Sequence, residues 1–111
     1  MPPLPTEDKK RTAQRALVHR ILTGDGRASP DQRLRAFNNA DLPEPLQALL
    51  DKVATRPTQV TEADFAAVGA SSFSEDEVFE LVICAAVGQA TRQYEAGLAA
   101  LAEAIANGNE G

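Results

Sequence analysis

The sequence predicts an all-α domain of about five helices, organised as a bundle around one long C-terminal helix. Apolar residues recur at helical spacing between turn signals, whereas no segment alternates polar and apolar residues as a strand does. Helix-start patterns precede these segments, and alanine, the strongest helix former, is abundant. The 111 residues fit one domain, which we assign to residues 6–106 with flexible tails at 1–5 and 107–111.

The first half of the chain carries two predicted helices. In the first, Ala13, Leu17 and Ile21 repeat every four residues and give an apolar stripe. A Gly-Asp-Gly turn at 24–26 ends this helix. The second helix starts at Ser29, which combines an N-cap serine, a proline at the first helical position and a glutamine at the reciprocal capping position.

The middle of the chain is predicted to supply much of the core. Leu34 and Phe37 are the large apolar residues of the second helix, and we expect both to be buried. A third helix begins near Leu46 and places its leucines on one face. Thr61 opens a short fourth helix, which Gly69 closes.

The longest helical pattern begins at a capping box formed by Ser74 and Glu77 and continues to about residue 105. Its apolar residues cover more than one face, so we expect burial on at least two sides. Glycine within a helix costs stability, which a closely packed neighbouring helix would offset. At about 31 residues, the helix is longer than a compact domain of this size needs, so we expect it to bend at Gly88 or Gly97, or to pack its far end against another chain.

Five side chains are weak candidates for chemistry, and each also has an ordinary structural explanation. Cys84 lies deep in the long helix without a sequence-local His or Lys, which favours an inert core thiol. Arg92 needs an acceptor if it is buried, and Glu95 is the nearest carboxylate. A lone His19 lacks a local partner for metal binding or nucleophile activation. The weak catalytic candidates are Cys84, Arg92, Glu80, Glu77 and His19.

Charge is unevenly distributed along the chain. Residues 1–40 hold eight Lys/Arg and four Asp/Glu, whereas residues 41–111 hold three and twelve, which gives net charges of +4 and −9. One interpretation is that the basic front packs near the acidic back, and another is that the basic front meets an acidic partner. Nucleic acid is disfavoured because the chain is acidic overall and the basic segment has no interleaved aromatic residues.

Several classes of protein are disfavoured by simple counts. A single cysteine excludes an intramolecular disulfide, a CxxC pair and a multi-cysteine zinc site, and it suits a reducing compartment. The sequence shows no secretory signal and no apolar run of membrane-spanning length. We therefore expect a cytoplasmic protein with no cofactor, no metal, no nucleic-acid partner and no membrane contact.

A family resemblance rests on the segment VTEADFAAVGASSFSEDEVFELV. Its matching positions are Val60, Thr61, Asp64, Ser74, Glu77 and Glu80. With this segment, residues 46–101 resemble the C-terminal part of the alkylhydroperoxidase D-like / carboxymuconolactone decarboxylase-like family, and Arg92 falls where many relatives carry an arginine. The resemblance implies an all-helical, homo-oligomeric fold. The CxxC helix of the family's redox members would precede residue 46, where this chain has no cysteine, so peroxidase activity is not implied.

Two functional hypotheses follow. The first is a non-catalytic, alkylhydroperoxidase-like helical subunit that assembles with itself or with a catalytically complete relative. The second is an enzyme of the same fold that uses acid–base or single-thiol chemistry at a subunit interface. A small-ligand module is the remaining interpretation, with an apolar pocket lined by Phe79, Ile83 and Tyr94.

Overall fold

The computed structural model describes residues 5–108, which form five α-helices and one short 3₁₀ turn, with no strand in this part of the chain. The all-α prediction is confirmed at this level. The elements are α1 (Pro5–Thr23), α2 (Pro30–Phe37), α3 (Leu46–Thr55), the 3₁₀ turn (Pro57–Gln59), α4 (Glu62–Gly69) and α5 (Glu75–Gly108). Helices therefore begin one residue before the predicted domain and end two residues after it, and the rest of the two predicted tails lies outside the described residues.

Three helices begin at the capping residues that the sequence indicates. Ser29 accepts the backbone N–H of Gln32 at 3.1 Å, and the Gln32 side chain accepts the Ser29 N–H at 3.1 Å. Thr61 forms the same reciprocal pair with Asp64 at the start of α4. These starts are predictable because the signal and the hydrogen bonds lie within four residues of each other.

The core lies between α3 and the first half of α5. Leu46, Leu49 and Leu50 of α3 are buried, and they belong to one apolar cluster with Leu81 and Ala85 of α5. Val68 of α4 and Ala36 of α2 join the same cluster. The amphipathic stripe predicted for α3 is therefore confirmed as its core-facing side.

Helix α2 turns a different face to the core from the one predicted. Leu34 is 48% exposed, so the expectation that it is buried is wrong, whereas Ala36 is fully buried and Phe37 is partly buried. Arg33, rather than Leu34, completes the inward face. At about 100° per residue, Arg33, Ala36 and Phe37 lie within about 100° of one another around the helix. Leu34 lies about 100° from Arg33 and about 160° from Ala36, and so points away from the core.

Helix α1 lies antiparallel to α5. The Gln14 side chain donates to the Thr91 hydroxyl at 3.0 Å, and the Cys84 thiol lies 3.9 Å from the Ile21 carbonyl oxygen. From the first contact to the second, the residue on α1 is seven positions later in the chain and the residue on α5 is seven positions earlier. The two helices therefore run in opposite directions. Leu17, a member of the stripe predicted for α1, is 44% exposed, whereas Gln14 makes a hydrogen bond to α5.

Helix α5 is continuous through Gly88 and Gly97, and it extends well beyond the other helices. Its 34 residues correspond to about 51 Å. The molecule measures 58 × 29 × 21 Å with a radius of gyration of 17.1 Å, against about 13 Å for a compact domain of similar length. The buried residues of α5 all lie between Val78 and Gly88, and residues 99–108 are all exposed. Burial on two sides, as the sequence predicts, holds only for the first half of the helix.

Candidate functional site

Cys84 is a core residue. It is 1% exposed and belongs to the same apolar cluster as the leucines of α3. Burial raises the pKa of the Cys84 thiol to about 11, although the positive charge of nearby Arg33 acts in the opposite direction. A thiol that stays protonated and enclosed is a poor nucleophile.

Glu80 fastens the loop between α1 and α2 to α5. Its carboxylate accepts the backbone N–H of Arg27 at 2.8 and 2.9 Å and that of Ala28 at 2.7 Å. The Ala28 hydrogen bond, followed by those from Arg27, holds the pKa of this carboxyl below its ordinary value even though burial acts to raise it. A β-carbon added to Gly26 would lie 2.7 Å from a Glu80 oxygen, so the Glu80 side chain would have to shift to make room for it.

Glu77 and His19 have local roles. The Glu77 side chain accepts the Ser74 N–H at 3.0 Å, and the Ser74 hydroxyl oxygen accepts the Glu77 N–H at 3.1 Å. This reciprocal pair is the capping box predicted at the start of α5. His19 is exposed, with its Nδ1 3.4 Å from the hydroxyl oxygen of Thr23 one turn later in α1.

Arg92 is bound to α2 rather than to Glu95, which the sequence suggested as its partner. One guanidinium nitrogen donates to the Phe37 carbonyl oxygen at 2.6 Å, and another donates to the Gln89 side-chain oxygen at 3.0 Å. Phe37 is the last residue of α2, where carbonyl oxygens lack helical partners. Arg92 therefore caps the C-terminal end of a neighbouring helix.

The structure brings together only two of the five candidates. Cys84 and Glu80 both border a cavity of about 160 Å³ on the side of the α1–α2 loop, where Arg20 and Arg33 also lie. Glu77, Arg92 and His19 are not among the residues that line this cavity. The Glu80 carboxylate is already bound to backbone N–H groups, so it is not positioned as a free acid or base.

Arg33 is a structural residue that sequence reasoning missed. It is 6% exposed, and it donates to the carbonyl oxygens of Ala28 at 3.0 Å, Gly24 at 2.6 Å and Ile21 at 3.3 Å. Two of these acceptors lie at the C-terminal end of α1, where a cation is favourable. The available signal was its spacing, since Arg33 shares a helix face with the buried Ala36.

An apolar groove of about 750 Å³ lies between α4 and the start of α5. Phe79 is 65% exposed, and Phe65 of α4 is 44% exposed, although both are large apolar residues. Phe79 thus lines a pocket as the sequence suggested, but Ile83 and Tyr94 do not line it with Phe79. The groove is lined by Phe65, Ala66, Gly69, Phe73, Glu75, Asp76, Val78, Phe79 and Val82.

Exposed apolar and small residues recur along one side of α5 from the groove towards its far end, interrupted midway by exposed Gln93 and half-buried Tyr94. The apolar and small residues are three, four or seven residues apart, so they share one side of the helix. All are apolar or small, all are exposed, and Leu101 is 56% exposed. We call this surface the outward face of α5; it consists of Phe79, Ile83, Ala86, Ala90, Gly97, Leu101 and Ala104.

The basic front and the acidic back of the chain are not joined by any ion pair between the described residues. Each ion pair instead joins two residues of the same half. The pairs are Arg35–Asp31 at 3.1 Å, Lys52–Asp64 at 3.0 Å and Arg56–Asp51 at 3.8 Å. The halves meet through the shared apolar core and through hydrogen bonds such as those of Glu80 with the backbone of Arg27 and Ala28. Packing of basic against acidic side chains stays a prediction.

Comparison of the chain with protein-family models, curated proteins and solved structures finds no match. Within residues 5–108, no group of three or more His, Cys, Asp or Glu side chains is arranged to hold a metal ion. No helix in that range is both long enough and apolar enough to cross a membrane. The outward face of α5 and the groove beside it are therefore the surfaces from which a function can be argued.

Proposed function

We propose that this chain is a non-catalytic, alkylhydroperoxidase-like helical subunit that assembles with copies of itself through the outward face of α5. The observation that carries the proposal is the run of exposed apolar and small residues between Phe79 and Leu101. Monomeric proteins rarely expose large apolar patches to water. Small residues at helical spacing also allow a second helix to approach closely.

The roles of the candidate side chains support a non-catalytic subunit. Cys84 is enclosed in the core, Glu80 and Glu77 accept backbone N–H groups, and Arg92 binds a backbone carbonyl oxygen. Each of these polar groups contributes to the fold where it stands. The family resemblance supports self-assembly, because homo-oligomers are common in that family.

Sedimentation velocity over a concentration series tests the proposal. We expect the wild type to shift from monomer to a larger species between low micromolar and several hundred micromolar concentrations. Leu101→Glu should remain monomeric, since a charge within an apolar contact is costly to desolvate. Ala99→Glu is the matched control, because residue 99 is exposed on the opposite side of the same helix.

Two results would contradict the proposal. One is a wild type that remains monomeric throughout the series. The other is a Leu101→Glu variant that assembles as well as Ala99→Glu does. Circular dichroism of both variants checks that the helix content is unchanged, which is expected because neither side chain contributes to the core.

A further inference from the structure

We infer that the apolar groove between α4 and α5 is a binding site for a small organic cation, an amine or quaternary ammonium with an aromatic or aliphatic body. The apolar body lies against Phe65 and Phe79, and the cationic group lies beside Glu75 and Asp76. All four side chains line the groove. The site is independent of the proposed self-assembly, because a single copy of the chain forms it.

Helix α4 is fastened to α3 on one side and lines the groove with the neighbouring side. The Lys52 ammonium of α3 lies 3.0 Å from the Asp64 carboxylate, and Val68 is fully buried in the core. Phe65 and Gly69 are one turn apart, so they share a side of α4, and both line the groove. The wall that α4 contributes is therefore held in place by contacts outside the groove.

The groove has the size and the lining of a small-ligand site. Its volume of about 750 Å³ lies within the usual range of about 300–1,000 Å³. Five of its nine lining residues are phenylalanine or valine. Because only five residues connect α4 to α5, the two helices converge near Phe73 of this connection, which also lines the groove. The connection bounds the groove at this end, which favours a compact ligand over a helix that runs through it.

The charged groups that line the groove are all negative. Glu75 and Asp76 are exposed, and neither carboxylate is bound to another of residues 5–108. Both lie in the first turn of α5, where the helix contributes about half a positive charge, which is less than the charge of two carboxylates. An excess of negative charge therefore remains at the rim of the groove.

The cations of the same half of the chain are engaged elsewhere. Residues 41–111 hold three Lys/Arg. Lys52 and Arg56 form ion pairs, and Arg92 binds a backbone carbonyl oxygen of α2. Among residues 5–108, no ion pair joins a cation of the first half to an acid of the second. A cationic ligand would supply the charge that the fold leaves unbalanced at the groove.

The exposed phenylalanines give a second reason for a cation. Phe79 is 65% exposed and Phe65 is 44% exposed. The face of an aromatic ring attracts a cation within about 6 Å of its centre, and it also covers the apolar part of a ligand. An anion would instead meet two carboxylates and the negative faces of the rings. The groove therefore selects by charge as well as by apolarity.

Two matched probes test the charge preference. 4-Phenylbutylammonium and 5-phenylpentanoate carry opposite charges on the same phenylbutyl body. Each is titrated into the nitrogen-15-labelled full chain, at a concentration where sedimentation velocity finds the monomer, and amide chemical shifts are followed. We expect the ammonium to bind at least about fivefold more tightly, with shifts centred on residues 65–82, because two carboxylates attract one probe and repel the other. Added salt should reduce this preference.

Two double variants with the same change in net charge separate the groove from the overall charge of the protein. Glu75→Gln/Asp76→Asn should abolish the preference for the ammonium. Glu95→Gln/Glu103→Gln is the matched control, because both carboxylates are exposed on the second half of α5, and it should retain the preference. Phe79→Ala should weaken the binding of both probes by about threefold or more, because an exposed ring that covers the apolar body is lost.

Three results would overturn the inference. The first is equal affinity of the two probes for the wild type, or no binding of either. The second is a preference that survives in Glu75→Gln/Asp76→Asn. The third is a synthetic Lys/Leu amphipathic helical peptide that shifts the groove amides while the ammonium does not, which would assign the groove to a helical partner. None of these results bears on the proposed self-assembly, which the sedimentation series tests separately.

Discussion

Gly88 and Gly97 lie in the same helix, but the packing of the chain explains only the first. A β-carbon on Gly88 would collide with the carbonyl oxygen of Phe37, so α2 approaches α5 closely only because residue 88 is glycine. A β-carbon on Gly97 would meet no atom of the described chain within 4 Å. Helix α5 therefore has a first half built around contacts within the chain and a far end, residues 99–108, that is exposed throughout.

The difference shows what a small residue in a helix indicates. Glycine lowers helix stability wherever it stands, by about 1 kcal/mol relative to alanine. At Gly88 the cost is offset by the α2–α5 contact, and the Arg92 cap on Phe37 lies one turn further along the same side. At Gly97, no close contact within the described chain offsets this loss of helix stability, which is consistent with a contact to a second copy.

The largest effect is expected from Gly88→Ala. The new methyl group would push α2 away from α5, and we expect a loss of about 3 kcal/mol in the free energy of unfolding, near the upper end of overpacking effects. Urea denaturation of the dilute protein measures it. A loss below about 0.5 kcal/mol would mean that the α2–α5 contact is looser than the structure indicates.

Glu80→Gln should remove about 1–2 kcal/mol of stability at neutral pH, because charge-assisted hydrogen bonds to Arg27 and Ala28 become neutral ones. The pKa of Glu80 is lowered on folding, so its contribution is present above its ordinary pKa of 4.5 and is lost as the pH falls through the folded value. Urea midpoints between pH 7 and pH 3 should therefore fall less steeply in Glu80→Gln than in wild type. Asp64, whose pKa is also lowered, supplies a remaining slope in both proteins. Urea midpoints that fall equally steeply with pH in the wild type and in Glu80→Gln would contradict the role of Glu80.

Gly97→Ala should have effects of opposite sign on the monomer and on the assembly. In dilute solution, alanine should stabilise the monomer by up to about 1 kcal/mol through helix propensity. At high concentration, the added methyl group lies on the outward face of α5, and self-association should weaken. Urea unfolding at low concentration and sedimentation at high concentration separate the two effects. Equal or tighter self-association in this variant would contradict assembly through the outward face.

Cys84 should react slowly in the folded chain. Because the thiol is buried and its pKa is raised to about 11, it reacts with a disulfide reagent at pH 8 only when the structure opens. We expect the rate to be at least about a hundredfold lower than in urea-unfolded protein. Rapid labelling of the native chain would instead favour the single-thiol enzyme hypothesis.

The smallest effect is expected from Asp76→Asn. Removing this charge from the rim of the groove should tighten self-association by less than about threefold, because exposed charges are screened. The difference should shrink as salt is added. Weaker self-association of Asp76→Asn would contradict this expectation, because it would place a cation of the partner beside Asp76.

Local signals predict the starts of the helices well. The capping pairs of Ser29 with Gln32 and of Ser74 with Glu77 lie within four residues, so the sequence states them directly. The buried stripe of α3 is also predicted directly, because the leucines of this helix lie on a single face.

Tertiary partners were harder to predict. Arg33 was missed, and Arg92 was assigned to Glu95, because their acceptors are carbonyl oxygens brought close by the fold rather than by sequence. The apolar residues of α5 cover so much of the helix that periodicity does not distinguish the side facing α3 from the side facing water. For the same reason, the groove formed with Phe65 was visible only in the structure.

Hydrogen exchange at several protein concentrations tests most directly whether the second half of α5 is an assembly surface. In dilute solution, amides at 75–92 should be protected by the core, and those at 93–108 should exchange quickly as an exposed helix end. As the concentration rises, protection at 93–108 should increase severalfold, whereas protection at 75–92 should change little. Rapid exchange at 93–108 at every concentration would contradict the account.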